Sequence, residues 1–195
     1  MIAMPVGSGL QISRDTGLGS VTAARYLDDG PRVTIAGRGK EGGRTRLYTM
    51  SLADSAPPQP ATEEFDYAAS SDRQPLVISP DGRVALVSLA DGGMALLPLD
   101  GSKARPVKGV RLGEVPIQWT LDPKKVYVLD KSAIPARISA LNIETGQRTL
   151  VHTITPRDSA GVYGVADAVP TPDGSAFAYS YQQLLSDLYL VRGLR

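Results

Sequence analysis

Apolar positions along this chain come in short runs separated by turn residues. The runs at 32–36 (RVTIA), 84–88 (VALVS), 125–129 (KVYVL) and 176–180 (AFAYS) are rich in β-branched and aromatic residues. Each predicts a strand. A second set precedes them at 23–26, 75–78, 115–119 and 165–169, and a third follows at 46–52, 94–99, 137–143 and 187–191. No stretch carries a sustained 3.6-residue period bounded by caps, so no helix is predicted.

One turn recurs between the first two strands of each unit. It reads Ser79-Pro80-Asp81-Gly82 and Thr171-Pro172-Asp173-Gly174, with degenerate copies at Leu27-Asp28-Asp29-Gly30 and Leu121-Asp122-Pro123-Lys124. Proline fixes φ, aspartate bonds its own backbone and glycine accepts positive φ, so these positions read as turn chemistry. Asp29, Asp81, Asp122 and Asp173 recur at intervals of about 40–50 residues, the period of propeller blades. Second turns at 53–54, 100–101 and 144–146 lead to fourth strands near 59–62, 104–108 and 147–153.

Each unit is therefore a four-stranded antiparallel meander, A to D. The expected fold is all-β: a β-propeller with about four blades, at 21–63, 75–108, 115–154 and 165–192, forming part of a larger ring. The last unit lacks a fourth strand. A leading piece at 5–13, strand-like at 10–13, reads as the strand of a preceding or closing blade, since ring closure removes unpaired edges.

Composition narrows the function. Lys+Arg total 21 against 20 Asp+Glu, a formal charge of +1 with no basic block, so phosphate neutralisation does not hold this chain to nucleic acid. There is no cysteine, which removes disulfides, thiolate nucleophiles and thiolate-bound metals. The 20 glycines and 15 prolines are spread out, and so they punctuate many turns where clustering would have signalled a linker. The leading MIAMPVGSGLQISRD has no basic n-region, and no run approaches the ~20 apolar residues of a membrane span. The expectation is neither a signal peptide nor a membrane segment, and a cytoplasmic chain as it stands.

The repeated Ser/Thr-Pro-Asp-Gly followed by a β run resembles the WD40-like repeat of TolB-like β-propellers. The stretch from Thr171 through Tyr179-Ser180-Tyr181 to 185–190 (LSDLYL), with 115–119 (VPIQW) and 137–146 (RISALNIETG), is similar to the C-terminal propeller of bacterial eukaryotic-like serine/threonine protein kinases. The resemblance covers about residues 5–194 and specifies fold better than function. It implies a sensor or interaction region, extracytoplasmic if the parent kinase is anchored in a membrane. None of the kinase signatures His-Arg-Asp, Asp-Phe-Gly or Val-Ala-Ile-Lys is present, so no kinase activity is carried onto these residues.

Other constellations read as structure. Gly37-Arg38-Gly39-Lys40-Glu41-Gly42-Gly43 lacks the lysine placement and following helix of a phosphate loop, and is expected to be a flexible loop between strands B and C. His152, the one histidine, lies in a predicted outer strand without the partners of a triad. The turn aspartates fall one per unit, too far apart for a metal site. The single tryptophan, Trp119, is expected between neighbouring blades, with a channel-mouth anchor as the alternative.

Ligand-binding candidates are the polar members of the innermost A strands, Arg25, Gln118 and Asp167, together with Trp119. The loops at 112–114 and 156–159 are candidate rim segments. The expected function is a non-catalytic module that uses no cofactor. It binds a protein, a peptide or a small ligand at the propeller channel, or further blades of a parent chain. The alternatives are the accessory propeller of a prolyl-oligopeptidase-type hydrolase and a TolB-like cell-envelope scaffold.

Overall fold

The structure is a computed structural model that describes residues 1–3, 11–27, 30–68 and 76–186. Asp28 and Asp29, most of the leading piece, the 69–75 approach to the second unit and the strand expected at 187–191 lie outside the described residues. The described chain contains strands and no helix. A short hairpin, β1 (Ile2–Ala3) and β2 (Ile12–Ser13), comes first. Three four-stranded antiparallel sheets follow in chain order. The first is β3 (Ser20–Tyr26), β4 (Arg32–Gly39), β5 (Gly42–Ser51) and β6 (Gln59–Pro60). The second is β7 (Leu76–Ile78), β8 (Val84–Ser88), β9 (Met94–Pro98) and β10 (Arg105–Pro106). The third is β11 (Glu114–Trp119), β12 (Lys125–Asp130), β13 (Ala136–Asn142) and β14 (Arg148–Ile154). A pair, β15 (Val162–Pro170) and β16 (Phe177–Gln183), begins the fourth.

Each sheet is a meander whose first strand lies at its edge. These first strands converge: β3 touches β7, β7 touches β11, and β11 touches β15. The sheets thus fan out from a common inner line, as propeller blades do.

Successive side chains point to opposite faces of a strand, and here both faces are covered. In β8, Ala85 and Val87 pack toward the first blade while Leu86 packs toward the third. In β12, Val126 and Val128 face the second blade while Tyr127 and Leu129 face the fourth. This is why the central strands read as unbroken apolar runs. The first blade's other face, with Val33, Ile35, Met50 and Leu52, is covered by Met1 and Leu18. Burial of these faces, worth roughly 1.5–3 kcal/mol per large side chain, holds the stack together.

The glycine-rich segment is more ordered in form than its composition suggested. β4 and β5 run through it, Gly39 pairs with Gly42, and only Lys40 and Glu41 form the turn. The glycines serve close approach: a Cβ on Gly37 would lie 2.5 Å from the Ser20 carbonyl oxygen, and one on Gly19 would lie 2.6 Å from that of Gly39. Ile12–Ser13 pairs with Ile2–Ala3 in a local hairpin. Arg14 ties that hairpin to the first blade, its Nη2 donating to the Leu52 carbonyl at 2.9 Å.

Candidate functional site

The recurring turns form the same hydrogen-bonded unit. In the second blade, the Ser79 hydroxyl donates to Asp81 Oδ1 at 2.5 Å, and the same oxygen accepts the Arg83 N–H at 3.1 Å. In the fourth blade, Thr171 donates to Asp173 Oδ1 at 2.5 Å, and Ser175 N–H does so at 3.1 Å. Gly82 and Gly174 share φ of +69°, a conformation that favours glycine. The third blade keeps the idea without the glycine: Asp122 N–H donates to the Thr120 hydroxyl at 3.0 Å, and Lys124 N–H donates to Asp122 Oδ1 at 3.0 Å. These bonds hold the Asp81, Asp122 and Asp173 carboxyls below the usual carboxylate range. The largest cause is the Ser79 hydroxyl for Asp81, the Lys124 N–H for Asp122 and the Thr171 hydroxyl for Asp173. Gly30 has φ of +125°.

At the turn end of the inner strands the blades leave a groove of about 520 Å³, within the ~300–1,000 Å³ range of ligand sites. The first blade contributes Arg25 and Tyr26, the second residues 76–80, the third residues 117–121 and the fourth Pro172. The Pro172 carbonyl accepts the Leu121 N–H at 3.1 Å and the Tyr127 hydroxyl at 3.4 Å, which fastens the fourth blade's turn to the third blade. A Cβ on Gly174 would lie 2.5 Å from the Tyr127 oxygen, so that turn needs its glycine for closeness as well as for φ.

Three of the four nominated residues meet here. Arg25, Gln118 and Trp119 all line the groove. Arg25 is exposed and its Nη1 donates to the Ala24 carbonyl at 3.0 Å. Trp119 is 5% exposed and packs among Leu86, Met94 and Val128, between the second and third blades. It also walls a second cavity of about 280 Å³ between those blades, and its indole N–H has no partner among the described residues. Asp167 does not line the groove; it accepts the Ala168 N–H at 2.9 Å within β15.

The turn residues Ser79, Pro80, Leu121 and Pro172 were read as structure alone, yet they form the groove's mouth. The signal was available: an A strand runs directly into this turn, so turn and strand end share one rim. The loop at 112–114 sits at the other end of β11 and lines no part of the groove. Its Glu114 is buried against Arg148. Residues 156–159 likewise precede β15 and stay outside. His152 stacks on Phe177, centroids 4.6 Å apart and planes 8° from parallel, between the third and fourth blades.

No protein-family model and no curated protein matches this chain. Solved structures do. TolB from Acinetobacter baumannii has 14% identity and a TM-score of 0.60, covering 86% of this chain and 39% of that one. A putative TolB from Agrobacterium tumefaciens has 20% identity and a TM-score of 0.53, covering 82% and 53%. A structure from a study of two prolyl endopeptidases has 17% identity and a TM-score of 0.53, covering 84% and 26%. These are likenesses of fold, and they agree with the stacked meanders: the chain has the architecture of part of a β-propeller. It spans about two fifths and one half of the two TolB chains.

Proposed function

We propose that this chain is a non-catalytic binding module that holds a protein or peptide partner, or a small ligand, in the groove at the turn end of its inner strands. One observation carries the reading. Arg25 of the first blade and Gln118 and Trp119 of the third converge on a single concavity. Propeller folds host unrelated functions, so the site, not the fold, supports the assignment. The absence of catalytic chemistry in this reading rests on His152, which is used in packing against Phe177.

The association with a bacterial serine/threonine kinase rests on the motif resemblance, with further blades of a parent chain as the neighbours that the partial coverage of TolB suggests. The fold likeness to TolB favours a cell-envelope scaffold as the second reading, and that to a prolyl endopeptidase favours a hydrolase's accessory propeller. The coding sequence around this chain separates them, since an in-frame kinase domain supports the first and an in-frame α/β-hydrolase domain the last.

The binding function itself is tested by panning random displayed peptides against the purified chain. Enriched peptides should lose binding when Gln118→Trp fills the groove while circular dichroism stays unchanged. Enrichment that ignores this substitution would overturn the site, and robust hydrolase or phosphotransfer turnover abolished at His152 would overturn the non-catalytic reading.

A further inference from the structure

We infer that the groove recognises an extended peptide segment carrying a carboxylate side chain, with Arg25 as its specificity-determining residue. The inference rests on the binding function proposed above and names the ligand class for that site.

Charge is the first argument. Among the described residues lining the groove, Arg25 is the only one that is charged. It forms no ion pair among the described residues, and its Nη1 donates to the carbonyl of the adjacent Ala24. Two arginines show how this chain answers an acid: Arg44 forks onto both oxygens of Asp66 at 2.8 and 2.9 Å, and Arg148 is bound to Glu114. An arginine without an acidic partner among the described residues, in a concavity whose described lining holds no acid, is an offered binding group. Its planar fork suits a carboxylate bidentately, and charge-assisted bonds are the strong ones.

Polarity points the same way. The Gln118 side chain makes no hydrogen bond among the described residues, so its amide is open to a ligand. The hydroxyls at the mouth are already engaged, Ser79 with Asp81 and Thr120 with the Asp122 carbonyl. Around Arg25 the surface is apolar, with Tyr26 59% and Leu121 73% exposed. A carboxylate flanked by an apolar residue satisfies both.

The backbone argues for a peptide over a small acid. β3, β7 and β11 are each the edge strand of their sheet, so each carries a row of N–H and C=O groups without a strand partner in that sheet, and residues of all three line the groove. Extended main chain answers such a row, and this is how strands are added at sheet edges.

The test uses the purified 195-residue chain and two synthetic hexapeptide libraries, identical except that one fixed position is Glu in the first and Gln in the second. Trp119 is the only tryptophan and lines the groove, so its fluorescence reports binding. The Glu library should bind about tenfold more tightly. That advantage should shrink in high salt and disappear in Arg25→Gln, with circular dichroism confirming that this variant is folded. Equal binding of both libraries, still lost in Gln118→Trp, would overturn the carboxylate preference and leave the binding function standing. No groove-dependent binding of either library would overturn both. Benzoate alone binding as tightly as the Glu library would overturn the peptide assignment in favour of small carboxylates.

Discussion

Arg148 opens the outer strand of the third blade and binds both carboxylate oxygens of Glu114, which opens the inner strand of the same blade. Glu114 also accepts the Arg111 N–H at 2.8 Å, and Arg148 reaches the Gly109 carbonyl. One guanidinium therefore clamps the connection from the second blade to the third. The Glu114 side chain is 1% exposed and that of Arg148 18%, so this is a buried pair, unlike the exposed Arg44–Asp66 pair.

Breaking a buried pair leaves a charge without compensation, at a cost of about 3–5 kcal/mol. Arg148→Ala is expected to lower the urea midpoint accordingly, with an unchanged denaturant slope. Replacing both members, Glu114→Leu with Arg148→Met, should recover most of the loss. Two single variants as stable as the parent would show that the clamp does not hold the connection.

The blades were legible because blade physics is written locally. Val84–Ser88 and Lys125–Asp130 are covered on both faces, so they read as apolar runs, and Pro80-Asp81-Gly82 marks the turn that leads into the first of them. The inner strands were legible by order alone, which brought Arg25, Gln118 and Trp119 forward as candidates. What was not legible depends on distance in space. Glu114 read as a rim residue because its partner is 34 residues away. Asp167 lies farther from its turn, Asp173, than Arg25 and Gln118 lie from Asp29 and Asp122, and the groove at the turn end does not reach it. The 37–43 segment read as a flexible loop because glycine serves both loops and close approaches, and only packing distinguishes the two.

Gly109 and Gly101 separate those two uses of glycine. Both have positive φ, +74° and +83°. A Cβ on Gly101 meets nothing within 4 Å, while one on Gly109 would lie 2.6 Å from the Gly146 carbonyl oxygen. Gly101→Ala should lose only the left-handed backbone preference, about 1–2 kcal/mol. Gly109→Ala should lose that and a further ~1–3 kcal/mol from forced separation of the two loops. Equal midpoints in thermal unfolding would remove the close approach as a structural requirement.

The turn aspartates contribute to the acid limb of stability, together with Asp100 and Asp130, whose carboxyls are also lowered, chiefly by Ser102 and Ser132. Asp81, Asp122 and Asp173 titrate below their usual range in the folded chain, with the Ser79 hydroxyl, the Lys124 N–H and the Thr171 hydroxyl as the leading causes. A carboxyl whose folded pKa is depressed stabilises above its unfolded value, about 3.9, and loses that stabilisation as pH falls through the folded value. Scanning calorimetry should show Tm level between about pH 7 and 5 and falling below about pH 4. Asp81→Asn should make the fall shallower, because a neutral amide has no proton to take up. An unchanged acid limb would mean that Asp81 does not contribute to it.

Tyr67 governs the opposite limb. Its ring is buried at 6% exposure, edge-on to Phe65 with centroids 5.6 Å apart, and its hydroxyl has no partner among the described residues. Burial pushes this phenol well above its ordinary range, with the charge of Arg25 pulling weakly the other way. A group whose folded pKa is raised stabilises fully below its unfolded value, about 10, and loses that stabilisation as pH rises toward the folded one. The unfolded chain ionises first, so stability should decline above about pH 10. Tyr67→Phe keeps the ring contact with Phe65 and removes the unpaired hydroxyl. At pH 7 it should be neutral or stabilising by up to about 1–2 kcal/mol, because an unsatisfied buried donor is a cost. Above pH 10 its unfolding midpoint should fall less steeply than the parent's. The remaining slope is expected to include Tyr127, whose hydroxyl is also raised, by burial and then by Asp173. A destabilised Tyr67→Phe at neutral pH would show that the hydroxyl has a bonded partner in solution.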